Sequence, residues 1–401
     1  MHAAVKPQDS SVPTPLLAHL PARIPALDGV RALAILLVVA YHFRVIPAGS
    51  GVVAHAVLNF EASGWCGVDL FFVLSGFLIT GILYDTKGRP RYFRTFYLRR
   101  ALRIFPLYYV MLAFLFVLLP VLLPPGSPWR SFDWRQHWYW TYLANADVTV
   151  HGWPMAIGHF WSLALEEQFY LVWPLAVLVL NRRRLLKLCA GVVLLAPLVR
   201  LILRDTLGPV SAYVLMPSRA DALALGAAVA LMARAPHGLR SIVPASRVVA
   251  LISAVALTVL FLAKGGLDYA DLLVNIGGFT LLGALFASTL VLLLAAPEWA
   301  RVRGVLSGRG PALLGRYSYA IYIFHLPICV LLHDRVRDAG LLAAPRIFGS
   351  AIAFQLVYTS VGLGVSVLLA AISWRVLEER MLRLKPGHGA EPALPSAASA
   401  A

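Results

Sequence analysis

Long apolar segments recur along the whole chain and decide what it can fold into. About 20 apolar residues cross a bilayer as a helix, and a helix satisfies its own backbone hydrogen bonds there. With 60% hydrophobic and 13% charged residues, the composition excludes an ordinary soluble protein. We therefore predict an all-α polytopic membrane protein with about ten transmembrane helices. The candidate spans cover 29–48, 67–84, 104–124, 160–180, 186–204, 212–233, 246–263, 271–296, 316–333 and 348–376.

The basic residues predict the orientation of these spans. With a cytoplasmic N-terminus, the inner side carries 25 of the 35 Lys and Arg residues and the outer side carries nine. This bias follows the positive-inside rule and predicts that both termini are cytoplasmic. The net charge of +16 is then an orientation signal and not a sign of nucleic-acid binding. The aromatic segment 136–150 is short and polar, so we expect it to lie at the interface or re-enter the membrane.

The two ends of the chain differ from the middle in composition. Residues 1–25 are rich in Pro and Ala, and residues 385–401 are of low complexity. We expect both to be disordered tails around a membrane domain that covers 26–384. The three cysteines, at positions 66, 189 and 329, have no metal-binding spacing. We therefore predict no bound metal and no bound cofactor.

Ionisable residues inside the apolar spans are the candidate site. Arg31 enters the first span and His42 follows eleven residues later, about 16 Å along a helix. Such groups are costly in hydrocarbon and usually face an interior cavity. Estimated depths predict one polar layer in the outer half to the middle of the bundle. Its members are His42, Asp69, Glu166, Arg219, Asp221 and His325, and Ser75 lies somewhat deeper. A histidine bonded between helices and structural Arg–carboxylate pairs are the alternative interpretation.

A second candidate site lies in the basic stretch after the second span. Arg100 and Arg103 are three residues apart, so they share one face of the helix that begins there. Two guanidinium groups at a membrane surface suit a phosphate-bearing ligand through bidentate hydrogen bonds. Ordinary positive-inside charges, or arginines that bind lipid headgroups, are the alternative.

Several motifs together resemble acyltransferase family 3, the bacterial integral membrane acyltransferases of the O-antigen and exopolysaccharide O-acetyltransferase type. The Arg, ten residues, His spacing is similar to the family's opening motif, and Arg100 and Arg103 match its Arg-x-x-Arg pair. The segment 160–174 resembles its Ser-Leu-x-x-Glu-x-x-Phe-Tyr motif, which selects Glu166 and includes Tyr170. Further similar segments cover 67–80, 218–226 and 314–328.

The resemblance implies an enzyme of the bacterial inner membrane. It would move an acyl group, acetyl above all, from cytoplasmic acyl-CoA to a hydroxyl of an extracytoplasmic glycan or lipid-linked sugar. Acyl-CoA would be a co-substrate, and the partners would be this donor, the sugar acceptor and the bilayer. The acceptor and the acyl length stay open. A proton-coupled transporter of a polar metabolite is the alternative, although the sequence has no convincing internal repeat.

Each candidate residue has an expected role. His42 is the natural base, because its ordinary pKa lies nearest neutrality, or it carries the acyl group transiently. Glu166 orients His42, holds the acceptor or serves as the base itself, and Asp69 is a third catalytic candidate. Arg31, Arg100 and Arg103 would hold the CoA phosphates. The acceptor pocket would be lined by Ser75, Tyr170, Arg219, Asp221 and His325.

Overall fold

The computed structural model describes residues 24–45, 51–123, 135–342 and 345–385, and its architecture is all-α, as predicted. The first helices are α1 Pro25–His42, α2 Val52–Ala62, α3 Gly67–Asp85, α4 Tyr92–Ala113, α5 Leu119–Leu122, α6 Gln136–Trp140, α7 Ala144–His151 and α8 Phe160–Val179. The others are α9 Arg182–Leu207, α10 Pro209–Val214, α11 Met216–Ala233, α12 Val243–Lys264, α13 Phe279–Ala295, α14 Ala300–Leu306, α15 Arg309–Asp338, α16 Ala351–Ser373 and α17 Glu379–Arg383.

Ten helices or continuous helical runs in the described residues are long and apolar enough to cross a membrane, which confirms the predicted number. The aromatic segment forms two short helices, α6 and α7, of five and eight residues, and neither is among the ten. The predicted tails 1–25 and 385–401 fall outside the described residues except for residues 24, 25 and 385.

Two predicted span boundaries are wrong in ways that move the candidate site. Helix α1 ends at His42 and not near residue 48, so the imidazole lies at the end of its helix and not within it. Helix α4 begins at Tyr92 and not near residue 104. The charges of this stretch hid its helical start, although long basic side chains can lie along a helix and still reach polar surroundings. Arg100 and Arg103 are therefore about two to three turns inside α4.

The centre of the bundle is a close crossing of α3 and α11. A Cβ atom at Gly76 would collide with the carbonyl oxygen of Leu223, and one at Gly226 would collide with that of Val73. Small residues let two membrane helices approach to backbone contact, which compensates for the weak hydrophobic drive between helices in lipid. This crossing fixes the rest of α3, including Asp69 and Ser75, against α11.

The bundle has two different ends. The basic end contains the starts of α1, α4, α9 and α15 and the chain after α16. The opposite end contains the segments after α1 and before α8, and the loop 265–273. At the opposite end, α16 holds the residues just after α1: Gln355 Nε2 donates to the Phe43 carbonyl at 2.8 Å, and the Val45 N–H donates to Gln355 Oε1 at 2.9 Å. These bonds fix the backbone beside His42.

Candidate active site

Three histidines meet near the opposite end and form what we call the histidine cluster, His42, His159 and His325. The rings of His42 and His325 are 4.8 Å apart between centroids and nearly edge to face, and those of His159 and His325 are also 4.8 Å apart. His325 and His159 are buried, whereas His42 is partly exposed. His42 is therefore the member that a ligand can reach.

Hydrogen bonds assign the tautomer of His42. Its Nδ1 lies 2.8 Å from the Val38 carbonyl oxygen, and Nδ1 of His325 lies 2.7 Å from that of Tyr322. A carbonyl oxygen only accepts, so both Nδ1 atoms carry the hydrogen. Nε2 of His325 then accepts and lies 3.3 Å from Nδ1 of His42. The remaining nitrogen of His42, Nε2, keeps its lone pair and is suited to accept a proton.

His159 is a site residue that the sequence interpretation missed, because it was used only to mark where a span begins. Both of its ring nitrogens are buried and form no hydrogen bond within the described part of the chain. Its backbone is held firmly, since Tyr322 OH donates to the His159 carbonyl at 2.9 Å and also contacts Ser162 Oγ at 2.6 Å. The signal in the sequence is its position directly before the Ser-Leu-x-x-Glu motif.

The second group, the arginine cluster, contains Arg31, Arg100 and Arg103. The Arg31 charge interacts with those of Asp28, Glu166 and Arg100, and the Arg103 charge interacts with those of Arg31 and Arg100. All three side chains are partly exposed. None of the three forms an ion pair within 4.0 Å among the residues that the structure describes. Cations in this state can accept an anionic ligand without first breaking an existing pair.

Glu166 belongs to the arginine cluster rather than to the histidine cluster. Tyr170 OH donates to Glu166 Oε2 at 3.0 Å and lies 2.5 Å from Ser75 Oγ, and the Arg100 guanidinium lies 5.0 Å from the centre of the Tyr170 ring. Glu166 lies seven residues after His159, about 10 Å along α8. The sequence predicted each of these residues but not the chain of hydrogen bonds that joins Ser75, Tyr170 and Glu166.

Lys385 is a further cation beside the arginine cluster, at the basic end. Burial, together with the charges of Arg103, Arg100 and Arg99, lowers the pKa of Lys385 to about 8. The sequence interpretation counted Lys385 only as a positive-inside charge. Its position after α17 depends on how that helix packs against α4, which a linear pattern does not reveal.

The third group is a closed layer of two ion pairs. Arg219 donates to Asp69 at 2.7 Å, and Arg200 donates to Asp221 at 2.8 Å. All four side chains are at most 1% exposed. Arg219 also lies 4.0 Å from the centre of the Phe279 ring, a cation–π contact that partly replaces missing hydrogen bonds at its other nitrogens. These pairs join α3 to α11 and α9 to α11.

The predicted single polar layer is therefore three separate groups. His42 and His325 meet as expected, but Glu166 lies with the arginines, and Asp69, Arg219 and Asp221 lie in the closed layer. Arg200 was not among the predicted site residues, and its guanidinium is fully buried against Asp221. The catalytic and pocket roles assigned to all these residues stay predictions.

A bundle of ten such helices, with charged groups in its interior, is that of a multi-pass membrane protein. A family model described as an acyltransferase domain matches residues 24–371. The chain belongs to this family, acyltransferase family 3, as its motifs predicted. The membership favours an enzyme and does not favour the transporter alternative.

Three relatives indicate what the chain is similar to. It is 29% identical over 336 residues to the peptidoglycan O-acetyltransferase OatA of Listeria monocytogenes, covering 77% of this chain and 50% of the relative. It is 31% identical over 331 residues to the putative peptidoglycan O-acetyltransferase YrhL of Bacillus subtilis, covering 77% and 49%. It is 29% identical over 339 residues to the O-acetyltransferase OatA of Staphylococcus aureus, covering 79% and 52%. The chain thus spans about half the length of these curated relatives. No solved structure gives a significant match.

Proposed function

We propose that the protein transfers an acetyl group from cytoplasmic acetyl-CoA to a hydroxyl of an extracytoplasmic glycan. The names of the relatives favour peptidoglycan as the acceptor. The bias of 25 basic residues against nine supports a bacterial inner-membrane protein whose basic end and termini face the cytoplasm. Donor and acceptor would then approach from opposite sides, and the acetyl group would cross through the bundle.

The observation that carries the proposal is the placement of two functional groups on one helix. Arg31 belongs to the arginine cluster and His42 to the histidine cluster, and the step of eleven residues from one to the other covers about 16 Å of α1. A CoA molecule with its phosphates on the arginines would extend its thioester arm along the bundle axis toward His42. Charge-assisted, bidentate bonds would give this end its affinity for phosphate.

The chemistry at His42 follows from its tautomer. Nε2 removes the proton from the acceptor hydroxyl as the oxygen attacks the thioester carbonyl, so a C–O bond forms and the C–S bond breaks. The proton then passes from Nε2 to the departing thiolate, which leaves as free CoA. Nδ1–H, bonded to Val38 and His325, holds the ring in place through the reaction. If the acetyl group passes through histidine, the same Nε2 is the nucleophile.

Replacing His42 tests this role. We expect His42→Ala to reduce acetyl transfer by about 100-fold or more, the usual contribution of a positioned general base. The assay uses purified protein in proteoliposomes with radiolabelled acetyl-CoA and soluble peptidoglycan strands. His55→Ala is the matched control, because His55 is exposed on α2 and belongs to neither cluster. Turnover of His42→Ala near that of the control would exclude His42 as base or acyl carrier.

Cysteine labelling tests the orientation. In a variant without Cys66, Cys189 and Cys329, we expect Val150→Cys to react with an impermeant maleimide in intact cells and Arg89→Cys to remain unlabelled. Val150 is 66% exposed on α7 at the opposite end, and Arg89 is exposed before α4 at the basic end. Both avoid the positive backbone angles of Gly152 and Gly88, where a side chain would be strained. The reverse labelling pattern would refute transfer across the membrane.

A further inference from the structure

An unassigned group of aromatic side chains lies beyond the histidine cluster at the opposite end. Tyr269 stacks on Tyr213, with 4.4 Å between the ring centroids, and Trp153 contacts both rings at 6.3 and 6.2 Å. Tyr213 is buried with 4% exposure, Tyr269 is partly exposed, and Trp153 is 41% exposed. The stack therefore runs from the core outward and ends in an accessible aromatic surface.

Hydrogen bonds anchor the loop that carries Tyr269. The Trp65 indole N–H donates to the Leu267 carbonyl at 2.7 Å, and Arg204 donates to the Ala270 carbonyl at 2.7 Å. Lys264 pairs with Asp271 at 2.9 Å, and this bond lowers the pKa of Asp271. A loop tied on several sides presents its side chains in one arrangement before any ligand arrives, which reduces the entropy lost on binding.

The segment that carries Trp153 is anchored in the same way. Arg135 donates to the Gly152 carbonyl at 2.9 Å, and two further bonds of 2.8 and 2.6 Å attach this arginine to Asp147. Tyr139 OH also donates to Asp147 at 2.9 Å. A buried ion pair thus fixes the backbone next to an exposed tryptophan.

One aromatic residue, Tyr41, connects this surface to His42. The Tyr41 ring meets the His42 ring edge-on, with 4.9 Å between centroids, and Tyr41 interacts electrostatically with Tyr269 and Asp268. The Arg44 guanidinium lies 4.4 Å from the centre of the Tyr41 ring. We call Tyr41, Trp153 and Tyr269, with Asp268 and Arg44, the aromatic mouth.

The aromatic mouth differs from the aromatic belt of an ordinary membrane protein. Belt residues anchor single helices at the headgroup level and have no need to contact one another. Here the three rings come from the end of α1, the segment before α8 and the loop 265–273. Trp153 and Tyr269 contact each other, and Tyr41, which interacts electrostatically with Tyr269, contacts His42. The exposed carboxylate of Asp268 interacts electrostatically with Tyr41 and Tyr269, and its Oδ1 accepts from the Ala270 N–H at 2.9 Å, which leaves Oδ2 for a ligand.

We propose that the aromatic mouth binds a pyranose ring of the acceptor and directs one of its hydroxyls to His42. This inference rests on the proposed function and adds the acceptor site to it. A pyranose has an apolar C–H face, which suits an aromatic surface, and a rim of hydroxyls. Asp268 would accept hydrogen bonds from that rim and Arg44 would donate to it, so sugar position and hydroxyl orientation are fixed together.

Direct binding tests the mouth without requiring turnover. Soluble peptidoglycan glycan strands are titrated calorimetrically into the detergent-purified protein. We expect Trp153→Ala to raise the Kd by about fivefold, the size of one aromatic contact, and Trp153→Phe to raise it less. Asp268→Asn should also weaken binding, and Trp138→Ala, a partly exposed tryptophan at the same end, should leave the Kd unchanged. Acetyl-CoA affinity should be equal in all four variants.

The outcomes separate the two proposals. An unchanged Kd in both Trp153→Ala and Asp268→Asn, or glycan that does not bind the wild-type protein, would overturn the aromatic mouth. An equal loss in Trp138→Ala would do the same, because it would indicate a general effect of interfacial aromatics. Glycan binding that depends on Trp153, in a protein that transfers no acetyl group, would refute the proposed function alone.

Discussion

The bundle contains two sets of buried or partly buried arginines that differ in what surrounds them. In the closed layer, Arg200 and Arg219 each lie within 2.8 Å of a carboxylate and have no solvent exposure. In the arginine cluster, Arg31, Arg100 and Arg103 are partly exposed and lie near one another's charges. The same residue type is therefore neutralised in one region and left available in the other.

This difference distinguishes arginines that stabilise the fold from arginines that are available to bind a ligand. A buried charge that loses its partner destabilises a protein strongly. Replacing a paired arginine should therefore lower the stability of the fold. An arginine that faces other arginines and has carboxylates only beyond 4.0 Å gains less from the fold, and a bound anion would relieve the repulsion. Stability and donor affinity should accordingly respond to different substitutions.

The largest expected effect is on the closed layer. We expect Arg219→Met to destabilise the protein by about 3–5 kcal/mol, because Asp69 would remain buried without its cation. Thermal unfolding in detergent, with and without acetyl-CoA, measures this loss, which should be the same in both conditions. The double variant Asp69→Leu with Arg219→Met should regain most of the stability, since it leaves no unpaired charge.

The same double variant decides the predicted catalytic role of Asp69. If the layer only joins helices, the double variant should retain transfer activity once it folds. A stable double variant without any transfer would support a catalytic Asp69 and would contradict the distinction between the two arginine sets.

An intermediate effect is expected at the arginine cluster. Arg103→Ala should weaken CoA binding by about 10- to 100-fold, the size of a lost hydrogen bond to a charged group. Its unfolding temperature without ligand should not fall, but the increase that CoA produces should shrink. Arg103→Lys should restore binding only in part, because lysine lacks the planar fork. Calorimetric titration of CoA measures the affinity.

Arg94→Ala is the matched control for that experiment. Arg94 is exposed on the same helix, nearer its start, and it was counted with the other basic residues as a topology charge. Equal CoA affinity in Arg103→Ala, Arg94→Ala and the wild type would show that the cluster only orients the chain. The same result for Arg100→Ala would remove the donor site altogether.

The sequence predicted the class and the number of spans and named most members of the three polar groups, because long apolar runs and rare intramembrane charges are local signals. It did not predict which charges pair. Asp221 and Arg200 are 21 residues apart on different helices, and Asp69 and Arg219 are 150 apart. Only the crossing of α3 and α11, made possible by Gly76 and Gly226, brings the second pair together.

The sequence also did not predict how far along its helix each candidate residue lies. A hydropathy pattern shows where an apolar run begins, and a helix can begin earlier, in a charged stretch. Arg94, Arg99 and their neighbours therefore concealed the start of α4 at Tyr92. That error kept Arg100 and Arg103 at the membrane surface and away from Glu166. His159 was missed for a related reason, since a residue at a span boundary looks like part of a loop.

The smallest expected effect concerns Lys385. Burial and three nearby arginines lower its pKa to about 8. Below pH 8 Lys385 is protonated and adds a cation to the donor site, and above pH 8 that charge is lost. We therefore expect CoA affinity to fall as the pH rises from 7 to 9, by at most about fivefold for a partly exposed contact. The second pKa of a phosphate monoester, about 6, lies below this window.

Three variants isolate the contribution of Lys385 when CoA is titrated at pH 7, 8 and 9. Lys385→Arg keeps its charge throughout and should abolish the decline, while Lys385→Gln should bind CoA more weakly at pH 7 and also show no decline. Lys187→Gln, an exposed position at the same end, should behave like the wild type. A decline that persists in Lys385→Arg would mean that another group titrates there. In that case, Lys385 would be a topology charge, unlike the arginines beside it.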